Sequence, residues 1–290
     1  MKKPIFLDPE LQQQFDTDGF VKIQLLTKED IVTLNELCTN SFPETGSTFF
    51  SSSYLNDFEQ KKEISDAITQ IVQTRANSYF KEFRLIGAAF LIKGIGPQSE
   101  MPMHQDWSIV DESQFYAINV WIPLTNATVA NGALEVVKGS HVWNDAIRAP
   151  TLPFYFEGYQ ERLKEQLSLI EASPGEAIIL NQAIIHYSKA NTTNTSRPAL
   201  TTGLISKEAP LMLHYWNREQ PNEIELFEQD DDFLLKFEDF HTSIFERPVI
   251  GKSKAVRPFK VPSMTDALFN SMTGYKKEKK KNLLSRFFKI

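Results

Sequence analysis

PGEAIILNQAIIHYS (174–188), then the polar stretch KANTTNTS (189–196), then RPALTTGLIS (197–206), is the part of the chain whose reading decides the fold. Two short runs rich in Ile, Leu and Thr are set off by Pro174-Gly175 and by the turn-forming residues 191–196, the pattern of two strands joined by a loop. The same pattern extends upstream. AAFLIKG (88–94), YAINVWIPL (116–124) and GALEVVKGS (132–140) alternate with turn chemistry at 94–97, Asn131-Gly132 and Gly139-Ser140. Within 116–124, Ala117, Asn119 and Trp121 share one face and Ile118, Val120 and Ile122 the other. Short strands at regular spacing favour a sandwich or jelly roll, which leaves few exposed sheet edges.

Outward from this core the period changes. The first 85 or so residues read as mainly helical. Asp8 precedes Pro9 as a cap before a first helical turn, and Thr27 with Asp30 forms an acidic variant of the capping box. Ile31, Leu34, Leu37 and Cys38 follow helical spacing, and a third helix is expected from Asn56 to about Phe83. GFVKIQLL (19–26) reads as a short strand between the first two helices. Residues 153–170 are expected to form a helical insertion between strands. Beyond 207 the pattern weakens, and 245–263, punctuated by prolines, reads as extended over the surface. No internal repeat and no second-domain boundary is visible. The expectation is one domain over 1–275, with a β core at about 86–206, a C-terminal extension at 207–275 and a separate basic tail at 276–290.

Bulk properties narrow the function. The 41% hydrophobic content supports a substantial core, and 22 phenylalanines can line an apolar cavity. The single cysteine, Cys38, excludes an intrachain disulfide and suits a reducing compartment; its apolar setting reads as a buried structural thiol. No run approaches the roughly 20 apolar residues of a membrane span, so a cytoplasmic protein is expected. The net charge of −6 hides an asymmetry: residues 276–290 carry seven basic residues against Glu278, while the rest carries 24 basic and 36 acidic residues. Such an acidic body does not suit nucleic-acid binding.

The chemistry-bearing residues begin at His104-Gln105-Asp106. Alternate residues of an extended segment point the same way, so this tripeptide offers an imidazole and a carboxylate to one point. His186 follows 82 residues later, near the end of a strand. Two histidines and one carboxylate on one face of a metal form the facial triad of non-haem iron(II) oxygenases, which leaves three coordination positions for a chelating 2-oxo acid and O2. Arg197 lies eleven residues beyond His186. Its fork-shaped, permanently charged guanidinium suits the distal carboxylate of 2-oxoglutarate. Thr201 shares the Arg197 face of its strand and offers a further hydroxyl. Asn119, Gln105 and Gln182 are polar candidates for holding the imidazoles or touching substrate. Loops in 42–60, 98–115 and 207–250 are expected to shape the pocket.

The sequence resembles the phytanoyl-CoA dioxygenase family over roughly residues 11–206. The resemblance is carried by FDTDGFVKIQLLTKEDI (15–31), the strand before MHQD (103–106), INVWIPLTNAT (118–128), NGALEVVKGSH (131–141), PGEAIILNQAIIHYS and RPALTTGLI (197–205). It implies a double-stranded β-helix, or cupin-like jelly roll, with a helical N-terminal flank. It also implies iron(II), 2-oxoglutarate and O2, with hydroxylation of an unactivated C–H bond and decarboxylation of 2-oxoglutarate to succinate. Carried over position by position, Phe90 and Trp121 fall near the co-substrate and Arg197 anchors it. Related halogenases have a small residue where this chain has Asp106, so the carboxylate favours hydroxylation or desaturation over halogenation. Residues 207–290 match nothing that identifies a substrate, and no CoA-phosphate site is visible.

Competing readings remain. The same iron core can support desaturation or cyclisation; a β-helix can serve as a non-catalytic binding module; and two histidines with an aspartate also bind zinc. His141 reads as structural, His214 and His241 as core or solvent histidines, and Asp230, Asp231 and Asp232 as a solvated turn, since they lack calcium-loop spacing. In the tail KKEKKKNLLSRFFKI, Leu283, Leu284, Phe287, Phe288 and Ile290 can share a helix face beside the lysines. That composition points to peripheral membrane contact and, with it, a lipid-like or lipid-linked substrate.

Overall fold

The computed structural model describes residues 2–42 and 46–275. In chain order the elements are α1 (Pro9–Asp18), β1 (Phe20–Gln24), α2 (Lys28–Ser41), β2 (Phe49–Ser51), α3 (Phe58–Ala76), β3 (Phe83–Lys93), β4 (Met101–His104), β5 (Ala117–Pro123) and β6 (Leu134–Val137). They continue with α4 (Gln160–Lys164), β7 (Leu167–Ile170), β8 (Glu176–Asn181), β9 (His186–Ser188), β10 (Arg197–Ser206), β11 (Leu211–Tyr215), β12 (Glu223–Gln229), α5 (Phe240–Ser243), β13 (Lys252–Pro258) and α6 (Asp266–Thr273). The helix starts are those the caps predict: Asp8 accepts from the Glu10 N–H, and Thr27 and Asp30 close a reciprocal capping box.

A six-stranded sheet has the order β1-β8-β5-β10-β3-β2 and a four-stranded sheet the order β4-β9-β6-β7. From β3 to β10 the chain passes back and forth between them, placing β3, β5, β8 and β10 in the large sheet and β4, β6, β7 and β9 in the small one. This is the double-stranded β-helix. Strand parity sets what each face does. On the large sheet, Ala88, Phe90 and Ile92 of β3, Ile118, Val120 and Ile122 of β5, and Leu200 and Leu204 of β10 join one core with Phe15, Leu34, Ile64 and Ile68 of the three N-terminal helices. The opposite face, with Trp121, Ile178, Leu180 and Ala199, packs toward Leu134 and Val136 of the small sheet.

A bulge interrupts this parity near the cavity. The β10–β3 register slips between Thr202 and Gly203, which oppose Ala88 and Ile86 and leave Gly87 unpaired at φ +46°. Gly203 is forced by close approach, because a Cβ there would sit 2.5 Å from Cγ1 of Ile86. A third sheet, β11-β12-β13, follows the β-helix. Leu211, Leu213, Phe227, Phe233 and Phe237 from this region pack on Ile86, Ile109, Ala117 and Ile205.

Several sequence expectations change. The run 174–188, read as one strand with His186 near its end, is split between β8 of the large sheet and β9 of the small one, so His186 opens a strand instead. Helix α3 stops at Ala76 rather than near Phe83. Phe80 instead makes an isolated bridge to Phe6, with ring centroids 4.8 Å apart, so contact with the N-terminal segment overrides helical spacing. The expected helical insertion reduces to α4, and residues 167–170 form β7, paired with β6 through Leu134↔Ile170. The proline-punctuated segment is extended as expected, but its middle is β13, a solvent-exposed edge strand on β12. Cys38 is buried against the α2–sheet core, and burial pushes its thiol up to about 11. Among the described residues no helix is long and apolar enough to cross a membrane. The basic tail lies outside the described residues.

Candidate active site

β4 and β9 pair antiparallel with His104 opposite His186, which brings two imidazoles from distant parts of the chain to one point. Their ring centroids lie 4.1 Å apart. Asp106 follows just past the end of β4, and its Oδ1 is 3.9 Å from Nε2 of each histidine. One donor atom from each residue lies within 4.8 Å of the others.

Backbone carbonyls set both histidine tautomers. His104 Nδ1 lies 2.7 Å from the Pro102 carbonyl, and His186 Nδ1 lies 3.0 Å from that of Ile184. A carbonyl only accepts, so each Nδ1 carries the proton and each Nε2 keeps a lone pair facing the shared point. Burial, then the neighbouring His186 ring, pushes His104 down to about 4, which keeps it neutral. Asp106 is oriented by a relay: Asn119 Nδ2 donates to Oδ2 at 3.0 Å, and Thr201 Oγ donates to Oδ1 of Asn119 at 2.5 Å. Arg148 secures the backbone behind it, with Nε donating to the Asp106 carbonyl at 2.7 Å and Nη2 to Glu112.

His104, Asp106, His186, Asn119 and Thr201 line a cavity of about 410 Å³ that Arg197 also lines. Arg197 is 2% exposed. Its Nε donates to the Asn131 carbonyl at 3.2 Å, its guanidinium lies 5.0 Å from the Trp121 ring, and its Nη1 has no partner. Burial pushes it down to about 10, still above physiological pH. A buried cation with an unpartnered donor calls for an anion, because an isolated buried charge costs several kcal/mol. The donor set therefore fits a divalent transition metal, and the guanidinium fits the carboxylate of a small acid beside it.

The expected site residues are mostly brought together. His104, Asp106, His186, Arg197, Asn119, Trp121, Thr201, Gln105 and Gln182 all line the cavity. Phe90 does not. It is fully buried in the core between sheet and helices, near Phe42, while its neighbours Ala89 and Leu91 face the cavity. Strand parity places it on the wrong face for contact with a co-substrate. His214 hydrogen-bonds to the Ser108 carbonyl, His241 packs against Tyr54 with the two rings tilted by 56°, and His141 bonds to the Asp16 carbonyl. The three aspartates are spent on ion pairs to Lys236, Arg84 and Lys62.

Sequence reasoning missed two groups, Arg148 and Lys93. Arg148 carried no pattern that set it apart. Lys93 did, as the one charge ending the apolar run AAFLI. The cavity's outer wall comes from Phe49 and Tyr54 near β2, Trp107 and Ile109 after the triad, and Leu234, Phe240 and Ile244 of the C-terminal region. Those segments are the loops expected to shape the pocket. Trp107 and Phe240 stack at 5.9 Å with planes 9° apart. A second cavity of about 180 Å³ meets the first at His104, Gln105 and Trp107.

Comparison with known proteins agrees with this architecture. The phytanoyl-CoA dioxygenase (PhyH) family model matches residues 16–199. The phytanoyl-CoA dioxygenase domain-containing protein 1 homolog of Dictyostelium discoideum is 26% identical over 129 residues, covering 42% of this chain and 46% of that protein. The iron/alpha-ketoglutarate-dependent dioxygenase penM of Penicillium thymicola is 29% identical over 174 residues, covering 56% of this chain and 49% of that protein. The chain thus spans about half the length of the curated relatives it matches. Among solved structures, the epimerase SnoN in complex with Fe3+, alpha ketoglutarate and nogalamycin RO superposes with a TM-score of 0.50 at 17% identity, covering 70% of this chain and 87% of that one. This last likeness concerns the fold alone. With a family model matching well over half its length and running through both histidines, Asp106 and Arg197, the chain belongs to the phytanoyl-CoA dioxygenase family.

Proposed function

We propose that this protein is an iron(II)- and 2-oxoglutarate-dependent oxygenase that hydroxylates a C–H bond of a small, largely apolar molecule. One observation carries the reading. A two-histidine, one-carboxylate cluster with both Nε2 lone pairs free shares a cavity with a buried guanidinium that has no carboxylate partner. That guanidinium, placed to hold the carboxylate of a small acid beside the metal cluster, favours this reading over a hydrolytic zinc site.

When bound, iron and 2-oxoglutarate would supply with O2 the oxidising power, releasing succinate and CO2 and inserting oxygen into a substrate C–H bond. The chain's own residues do the rest. His104, Asp106 and His186 would hold the metal, and the Pro102 and Ile184 carbonyls keep both imidazoles in the ligating tautomer. Arg197, pressed against Trp121, takes the distal carboxylate. The wall of Phe49, Tyr54, Trp107, Leu234, Phe240 and Ile244 excludes water and orients an apolar skeleton. Among the described residues, Arg197 is the only basic group lining the cavity besides the two histidines, which supports an uncharged substrate over a CoA thioester.

Anaerobic titration with iron(II) and 2-oxoglutarate, followed by succinate and CO2 release on adding O2, tests the assignment. Failure to bind both would sink it. The composition of 276–290 further supports contact with an anionic membrane and access to a lipid-like substrate. Co-sedimentation with phosphatidylserine vesicles, with and without those residues, checks this; equal recovery removes it.

A further inference from the structure

Lys93 is buried completely, at 0% exposure, yet its side chain ends in an ionisable amine. It ends β3 directly opposite Arg197 of β10, so the two side chains rise from the same face of the sheet. Three backbone carbonyls converge on its Nζ: Ser99 at 2.7 Å, Lys189 at 2.8 Å and Ser188 at 3.3 Å. Ser99 lies just before β4, which carries His104, and Ser188 ends β9, which begins at His186. One ammonium with three donors and three acceptors therefore ties both metal-bearing strands to the strand pair that carries Arg197.

The electrostatics are unusual. Two like charges side by side are unfavourable across a sheet, and more so out of water. Burial first, then Arg197, pushes Lys93 down to about 7. Glu100 is the carboxylate that opposes this, and it is committed to Tyr187; the other charged pair nearby, Lys189 with Glu135, satisfies itself. The Arg197 guanidinium meets no carboxylate among its hydrogen-bond partners. An anion in the Arg197 pocket would relieve the repulsion, and a dianion more than a monoanion.

We infer that Lys93, which does not itself line the cavity, is a positioning residue that acts from behind Arg197 to select a 2-oxo acid carrying a distal carboxylate. This rests on the proposed function. A purely structural lysine would stabilise the fold without favouring one acid over another.

The test compares 2-oxoglutarate with 2-oxovalerate, which has the same five carbons and no distal carboxylate. Dissociation constants are measured anaerobically on the iron(II)-loaded full chain, by calorimetry and by the visible charge-transfer band. Wild type is expected to prefer 2-oxoglutarate by more than about tenfold, the scale of a charge-assisted hydrogen bond. Lys93→Gln keeps two N–H donors for the carbonyls and removes the charge. It is expected to cut the preference by about five- to tenfold, through weaker 2-oxoglutarate binding alone. Lys93→Arg is expected to retain the preference. The inference is overturned if Lys93→Gln keeps the wild-type ratio, or if both acids weaken equally. Should the variants not fold, a wild-type preference below about tenfold overturns it independently. Binding of neither acid would instead remove the oxygenase assignment itself.

Discussion

Asn119 holds the carboxylate of Asp106 by one oxygen only. Its amide donates to Oδ2 at 3.0 Å, which leaves Oδ1 facing both imidazoles at 3.9 Å. Such partners of a ligand typically control metal affinity by about 10- to 100-fold. Asn119→Ala is therefore expected to weaken iron or cobalt binding by that order while leaving the fold intact. Thr201→Val, one step further along the relay, should weaken it less. Metal titration followed by absorbance checks both, and unchanged affinity in Asn119→Ala refutes the relay.

Arg197 trades stability for binding. Its Nη1 is buried and unpartnered, and Lys93 lies across the strand from it. Replacing a buried, poorly compensated charge with an apolar side chain of similar volume is often neutral or stabilising by about 1–4 kcal/mol. Arg197→Met should raise or preserve the melting temperature of the metal-free protein. The same variant should weaken 2-oxoglutarate binding by about 10- to 100-fold, because a charge-assisted bond is lost. A large fall in melting temperature would show that the guanidinium serves the fold instead.

Phe90 and Leu91 test the strand parity directly. Phe90→Ala opens a void in the sheet–helix core and is expected to cost about 3–5 kcal/mol by denaturant unfolding. Affinity for 2-oxoglutarate, measured at a temperature where the variant stays folded, should not change. Leu91→Ala should do the reverse, altering the cavity with a smaller loss of stability. Equal effects on binding would contradict the assigned faces.

The Trp107–Phe240 stack should govern coupling. Removing one ring of such a pair forfeits roughly 0.5–1.5 kcal/mol beyond its buried area and opens the outer wall. Phe240→Ala is expected to keep 2-oxoglutarate binding while raising the share of succinate formed without substrate oxidation. The measured ratio of succinate to product decides; an unchanged ratio removes the wall from substrate handling.

The metal cluster was legible because its signals are local. His104 and Asp106 sit two apart on one extended segment, and His186 and Arg197 flank one turn. The strands of the β-helix were legible from alternation and turn residues. Phe90 was misplaced because family resemblance names a position, whereas the bulge at Gly87 and the facing helices decide which way a side chain points. Helix α3 was drawn too long because the Phe6–Phe80 pairing is non-local. Arg148 was invisible for the same reason: its partners, Asp106 and Glu112, lie about 40 residues upstream. Lys93 could have been found, since a lysine closing an apolar strand must bring its own acceptors.

The lone thiol has a practical corollary. Cys38 is buried on the core-facing side of α2, and burial holds its thiol pKa up to about 11, so the native chain offers no readily reactive thiol to a maleimide at neutral pH. The protein is therefore a ready-made blank for site-specific labelling. A cysteine introduced at Val249, which is 99% exposed between α5 and β13, would take a single dye with no background. Such a dye would report, in the otherwise unmodified protein, whether the segment carrying the aromatic wall shifts when ligands enter.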